Sequence, residues 1–227
     1  MKRTVVVFLC LCFLFGLSAC GVSGEEENMT TGMPSAISEN GSTNVPVQRT
    51  DVQSTADEDN TGAQGGTLVV YFSATGNTRT VAETLAAQLG AEIYEIVPEQ
   101  PYSDEDLNYS NSNSRATAEQ NDENARPAIA GALPDLTAYD TVYVGFPIWW
   151  GNMPRILYTF FDACDFSGKT IAPFCTSGSS GIAAASRTLA ELEPNAVVTE
   201  GLQIGASALD NAQSELADWV ASLHLPE

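Results

Sequence analysis

From residue 67 onward, short runs of β-branched and aromatic residues alternate with stretches whose apolar residues recur every three or four positions. The first kind suits a buried strand and the second a helix with one apolar face, so the chain reads strand, helix, strand, helix. Residues 68–72 predict the first strand. Val81, Ala82, Leu85, Ala86 and Leu89 share one face of the helix after it, which Gly90 ends. Residues 93–97 predict a second strand, 141–146 a third and 170–175 a fourth, and a fifth falls near Val197. Ile156, Leu157, Phe160 and Phe161 mark a helix with Pro154 in its first turn, and an Ala-rich helix follows over 182–192. Ser207 is the predicted N-cap of a last helix burying Ala212, Leu216, Trp219, Val220 and Leu223. Apolar strands separated by helices belong to a parallel sheet covered on both faces.

One polar segment, about 98–131, interrupts this rhythm with Asn and acidic residues. Within it residues 112–124 predict a weakly amphipathic helix, and Glu119 with Arg126 reads as a structural ion pair or as part of a lid.

The first 65 residues follow no such pattern. Lys2 and Arg3 precede an apolar run from Val5 to Leu17, and Leu17-Ser18-Ala19-Cys20 closes it. A charged start, a short apolar stretch and a small-residue end predict a signal peptide over residues 1–19. The closing tetrapeptide resembles the bacterial lipobox, which implies cleavage before Cys20, lipidation of Cys20 and anchoring to the outer face of a cell membrane. Residues 20–65 hold no aromatic residue and are rich in Ser, Thr, Asn, Gly and acids, the composition of a disordered tether. Its root-mean-square span at about 45 residues is roughly 35 to 40 Å. The remaining domain is residues 66–227.

Charge narrows the partners. With 29 acidic against 9 basic residues the formal net charge is -20, which excludes nucleic acid and leaves either plain solubility or steering toward a basic partner. Once the signal and Cys20 are set aside, Cys164 and Cys175 remain; a disulfide in an oxidising compartment is one reading, and free buried thiols, favoured because both lie in apolar segments, is the other. His224 is the one histidine, and without a Cys/His cluster the sequence speaks against bound zinc, haem or iron-sulfur.

Candidate chemistry lies in three polar turns, 73–78, 147–152 and 176–181, each leaving the C-terminal end of a predicted strand. The first runs into a helix, where unpaired amides and the macrodipole welcome an anion. Its Ser73, Thr75 and Thr78 add hydroxyl donors, and Gly76 permits close approach. Arg79 already lies inside the helix, so an anion here would be held by neutral groups.

Phe72-Ser73-Ala74-Thr75-Gly76-Asn77-Thr78, with Ala82 and Leu85 beyond, resembles the FMN phosphate loop of the flavodoxin family. Gly145-Phe146-Pro147-Ile148-Trp149-Trp150 and Phe174-Cys175-Thr176-Ser177-Gly178 resemble its two flavin-ring loops. The resemblance implies a three-layer, doubly wound α/β sandwich with a five-stranded parallel sheet of order 2-1-3-4-5, which makes the three turns neighbours at the edge where open α/β sheets bind ligands. Flavodoxins themselves illustrate that rule. It further implies that Ser73, Thr75, Asn77 and Thr78, with the amides of 74–78 including Ala74 and Gly76, hold the FMN phosphate. Pro147 and Ile148 would flank the ring, Trp149 or Trp150 would stack on it, and the Gly151-Asn152 peptide would meet flavin N5. Thr176, Ser177, Gly178 and Gly181 would line the far edge.

The expected function is that of an FMN-binding electron carrier, anchored outside the cytoplasmic membrane, that exchanges electrons with a redox partner protein. An FMN-dependent NAD(P)H reductase of quinones or another small acceptor is the second expectation, and a cofactor-free module the third. In either flavin reading the acidic surroundings, relieved chiefly by Arg155, should lower the flavin's reduction potential.

Overall fold

A computed structural model describes residues 65–205 and 207–225. The signal peptide, Cys20 and the tether lie outside the described residues. No helix among those described is long and apolar enough to cross a membrane.

The elements, in chain order, are β1 (Gly66–Tyr71), α1 (Asn77–Leu89), β2 (Glu92–Glu95), α2 (Arg115–Asn121), β3 (Tyr139–Pro147), α3 (Arg155–Ala163), β4 (Thr170–Ser177), α4 (Ala183–Leu192), β5 (Val197–Val198), β6 (Leu202–Gly205) and α5 (Ala212–Ser222). Every pairing in the sheet is parallel and the strand order is 2-1-3-4-5, as expected, with β6 also paired to β4. Alternation along the strands builds two cores. Leu68, Val70, Phe72, Val142, Val144 and Phe146 face α3 and α4, while Val69, Tyr71, Tyr143, Ala172 and Phe174 face α1 and α5. Three layers result.

Several details depart from the expected ones. The predicted fifth strand is two short strands, and Pro173 explains the break. Ile171 O accepts from Thr199 N, so residue 173 faces the same edge, where proline has no N–H to give. The second strand ends at Glu95, not at 97. Ile96 N still donates to Tyr71 O of β1 at 2.7 Å, and beyond it the chain leaves the sheet and makes an antiparallel bridge between Pro98 and Ile129. Pro154 sits at the N-cap position of α3, one residue before the helix. The insertion helix is shorter than predicted because Ser114 caps it, accepting from Thr117 N. Glu119 pairs with Arg115 at 2.7 Å and Arg126 with Asp162, so the Glu119 to Arg126 pair does not form. Ser207 caps nothing; a 3-10 turn over Leu209–Asn211 leads into α5.

Cys164 and Cys175 are free thiols, Cys175 fully buried in β4 and Cys164 half-buried at the end of α3. Burial pushes the Cys175 thiol up to about 12 and, with Glu193 adding a smaller push, Cys164 to about 11. Burial thus keeps Cys175 in the unreactive thiol form at pH 8. Alkylation of the native protein with iodoacetamide, read by peptide mass mapping, is expected to spare Cys175 until urea unfolds the domain. Rapid native labelling would refute the buried-thiol picture.

Candidate functional site

Three turns leave the C-terminal ends of β1, β3 and β4 and meet over one cleft of about 250 Å³. Ala74, Thr75 and Asn77 line it from the first turn, Pro147, Ile148 and Trp149 from the second, and Thr176, Ser177 and Gly178 from the third. Leu107 and Tyr109 of the insertion line it as well.

The first turn is built to leave donors free. Gly76 holds the N-cap position of α1 with φ 94, a left-handed conformation that suits glycine, and no side chain caps the helix. The first intrahelical bond runs from Thr80 N to Gly76 O, so the amides of Asn77, Thr78 and Arg79 precede the ladder. None of the acidic residues falls in the first turn of α1. Arg79 is engaged elsewhere: its guanidinium pairs with Glu95 and donates to the Tyr71 hydroxyl at 3.3 Å. The donors left free at the start of α1 are therefore neutral ones.

Two of the expected phosphate residues also hold the loop together. Ser73 Oγ accepts from Gly76 N at 3.1 Å, which commits that amide and leaves the Ser73 hydroxyl hydrogen to donate. The Thr78 hydroxyl is buried and bonds the Thr176 hydroxyl at 2.8 Å, tying the first turn to the third. At the third turn Ser177 Oγ accepts from the amides of Ser179 and Ser180, and Gly181 is exposed outside the cleft lining.

The second turn is a closed hairpin. Asn152 N donates to Trp149 O at 3.0 Å and Trp149 N to Asn152 O at 2.8 Å, while Trp150 and Gly151 between them have φ of 46 and 82, both positive as a type I′ turn requires. In the Gly151-Asn152 peptide, expected to meet flavin N5, the Asn152 N–H is bonded to Trp149 O, and the Asn152 side chain donates to Thr188 of α4. The two tryptophans part company. Trp149 is buried, edge-on to Phe72 at 5.6 Å and to Tyr102 at 5.1 Å between ring centroids. Trp150 is exposed, lies outside the cleft lining and stacks on Tyr109 at 4.4 Å with 28° between the rings.

The insertion, whose role the sequence left open, is fastened to this hairpin. Gln120 Nε2 donates to Trp149 O at 2.8 Å and to Met153 O at 3.3 Å. Tyr102 donates to Glu119 and lies under the Arg115 guanidinium at 4.2 Å, and its hydroxyl pKa is raised mainly by burial and then by Glu119. Arg155 donates to Gln120 O and covers the Tyr158 ring, so it ties α3 to α2. A signal for these residues was present: Tyr102 and Tyr109 are the two aromatic residues of an otherwise polar stretch.

The flavodoxin family model matches residues 66–223. This chain belongs to the flavodoxin family. Among solved structures, the flavodoxin chain is similar to candidate flavoproteins of Bacteroides uniformis and Bacteroides eggerthii. The first is 40% identical, with 67% of this chain and 98% of that one covered at a TM-score of 0.64. The second is 37% identical, with 72% and 100% covered at 0.67. A flavoprotein of Lactobacillus acidophilus in complex with FMN shares the fold at 24% identity, with 65% and 98% covered at 0.52. No curated protein matches this flavodoxin.

Proposed function

We propose that this flavodoxin binds FMN noncovalently and transfers electrons at the outer face of a bacterial cell membrane, held there by lipid on Cys20. One observation carries the cofactor assignment. The uncapped, acid-free start of α1 opens into the same cleft that the second and third turns line, which matches a phosphate joined to a flat ring a short reach away. In this reading the amides from Asn77 onward and the hydroxyls of Ser73 and Thr75 hold the phosphate. Pro147, Ile148 and Trp149 on one side and Thr176, Ser177 and Gly178 on the other orient the ring and exclude water. FMN, when bound, supplies the one- or two-electron chemistry, and the chain sets its access and potential.

The membrane position rests on Leu17-Ser18-Ala19-Cys20 and on the signal-like run before it. The electron partner is a redox protein, with a second reading favoured by one feature: Leu107 and Tyr109 wall the cleft. A wall there hinders the approach of a protein surface more than that of a small flat acceptor such as a quinone, which favours an FMN-dependent NAD(P)H reductase as the second reading.

One experiment separates these readings. The full chain is reconstituted with FMN, titrated with reductant under absorbance, and then given NAD(P)H with and without a quinone. Stoichiometric FMN uptake with negligible NAD(P)H oxidation is expected. Ping-pong turnover of NAD(P)H and quinone would shift the assignment to the reductase, and a chain that stays colourless in excess FMN would sink both.

A further inference from the structure

The flavin reading needs an aromatic face in the cleft, and the two tryptophans of the second turn are poorly placed to supply it. Trp149 is only 4% exposed, with Phe72 and Tyr102 packed edge-on around it. Trp150 lies outside the cleft lining, and one of its faces is already covered. The third turn, Thr176 to Gly181, contains no aromatic residue at all.

Tyr109 fills the gap. It is 57% exposed, lines the cleft beside Leu107, and has one ring face stacked on Trp150. A ring backed on one face by an indole and open on the other is an aromatic platform held at low entropic cost. The segment that carries it is fixed in place: Asn108 Oδ1 accepts from Ser110 N, Asn111 Oδ1 from Asn113 N, and α2 beyond is pinned to the second turn through Gln120. The Tyr109 ring therefore does not hang from a free loop.

We infer that Tyr109, contributed by the insertion between β2 and β3, is the aromatic residue that stacks on the isoalloxazine, with Trp150 as its backing. The inference rests on the FMN reading above and assigns the insertion a direct part in cofactor binding. Burial is modest at this exposed position, so replacing Tyr109 leaves the fold intact and reports on the ligand alone.

The test compares the full-length protein with its Tyr109→Leu, Tyr109→Phe and Trp150→Leu variants, titrating each with FMN and with riboflavin. Tyr109→Leu is expected to raise the Kd of both flavins alike by about 10-fold, because the ring contact is common to them. It should also shift the visible circular dichroism of the bound flavin. Tyr109→Phe keeps the ring face and should stay within about 2-fold of wild type. Trp150→Leu should cost less than Tyr109→Leu, since it removes only the backing. Unchanged flavin affinity in Tyr109→Leu would overturn the inference, as would a larger loss in Trp150→Leu, which would mean that flavin displaces Tyr109 and stacks on Trp150 directly. Failure of the wild type to take up FMN would overturn the cofactor reading and this inference with it.

Discussion

Asn77→Asp is expected to weaken FMN binding by on the order of 10²-fold while making the cofactor-free protein slightly more stable. The substitution is isosteric, and Asn77 is the first residue of α1, exposed and in the cleft lining. A carboxylate there faces the positive end of the helix dipole, worth about 0.3 to 1 kcal/mol to the empty protein. With FMN present the same charge lies beside the phosphate. Two unit charges about 4 Å apart repel by about 4 kcal/mol at an effective dielectric of 20 and about 1 kcal/mol in bulk water. A half-open cleft lies between these limits, at about 2.7 kcal/mol, which is the 10²-fold loss. Riboflavin, which lacks the phosphate, should bind the variant as it binds wild type. Equal losses for FMN and riboflavin, read by flavin fluorescence titration, would remove the phosphate from the start of α1. A fall in the urea midpoint of the cofactor-free variant would remove the dipole argument as well.

The strands and helices were legible because each rests on local pattern, whereas the sheet order, and with it the meeting of the three turns, came from the resemblance of those turns to the flavodoxin loops. Runs such as Leu68 to Phe72 are apolar throughout, Gly90 stops α1 where the periodicity ends, and turns at the ends of parallel strands converge once the order is known. What was not legible depends on partners distant in sequence. The broken edge strand follows from Pro173, whose missing N–H matters only because Thr199 lies opposite. The pairing of Glu119 with Arg115 instead of Arg126 was accessible in principle, since four residues on a helix bring side chains together and seven across a helix end do not. The separation of Trp149 from Trp150 needed the hairpin: adjacent residues at its first corner point different ways, and only tertiary packing decides which one Phe72 and Tyr102 enclose. The insertion was the least legible part, because Tyr102, Tyr109 and Gln120 act through contacts with a turn some thirty to fifty residues away, about which a polar stretch carries no periodic signal.

Gly145→Ala should be the most damaging small change in the sheet, costing about 3 kcal/mol of folding stability. Gly145 lies in β3 opposite Phe174 of β4, and a methyl group built on it would stand 2.2 Å from Phe174 Cζ and 2.4 Å from Cε2. Phe174 is fully buried and packs edge-on against Trp219 of α5, so its ring cannot swing aside without disturbing the layer beneath the sheet. Close packing turns such an overlap into strain instead of adjustment. The strain would also reach the cleft. Gly145 O accepts from Phe72 N at 2.9 Å, one residue before the first turn, and Pro147 two residues on begins the second. Urea unfolding should show a lower midpoint with an unchanged m-value, which marks lost stability without a change in the surface exposed. Shrinking the obstacle should help: Gly145→Ala combined with Phe174→Leu is expected to be less destabilised than the sum of the two single changes by about 1 to 2 kcal/mol. Strict additivity would mean that the methyl group and the ring do not collide, and the glycine in this strand would then need another explanation.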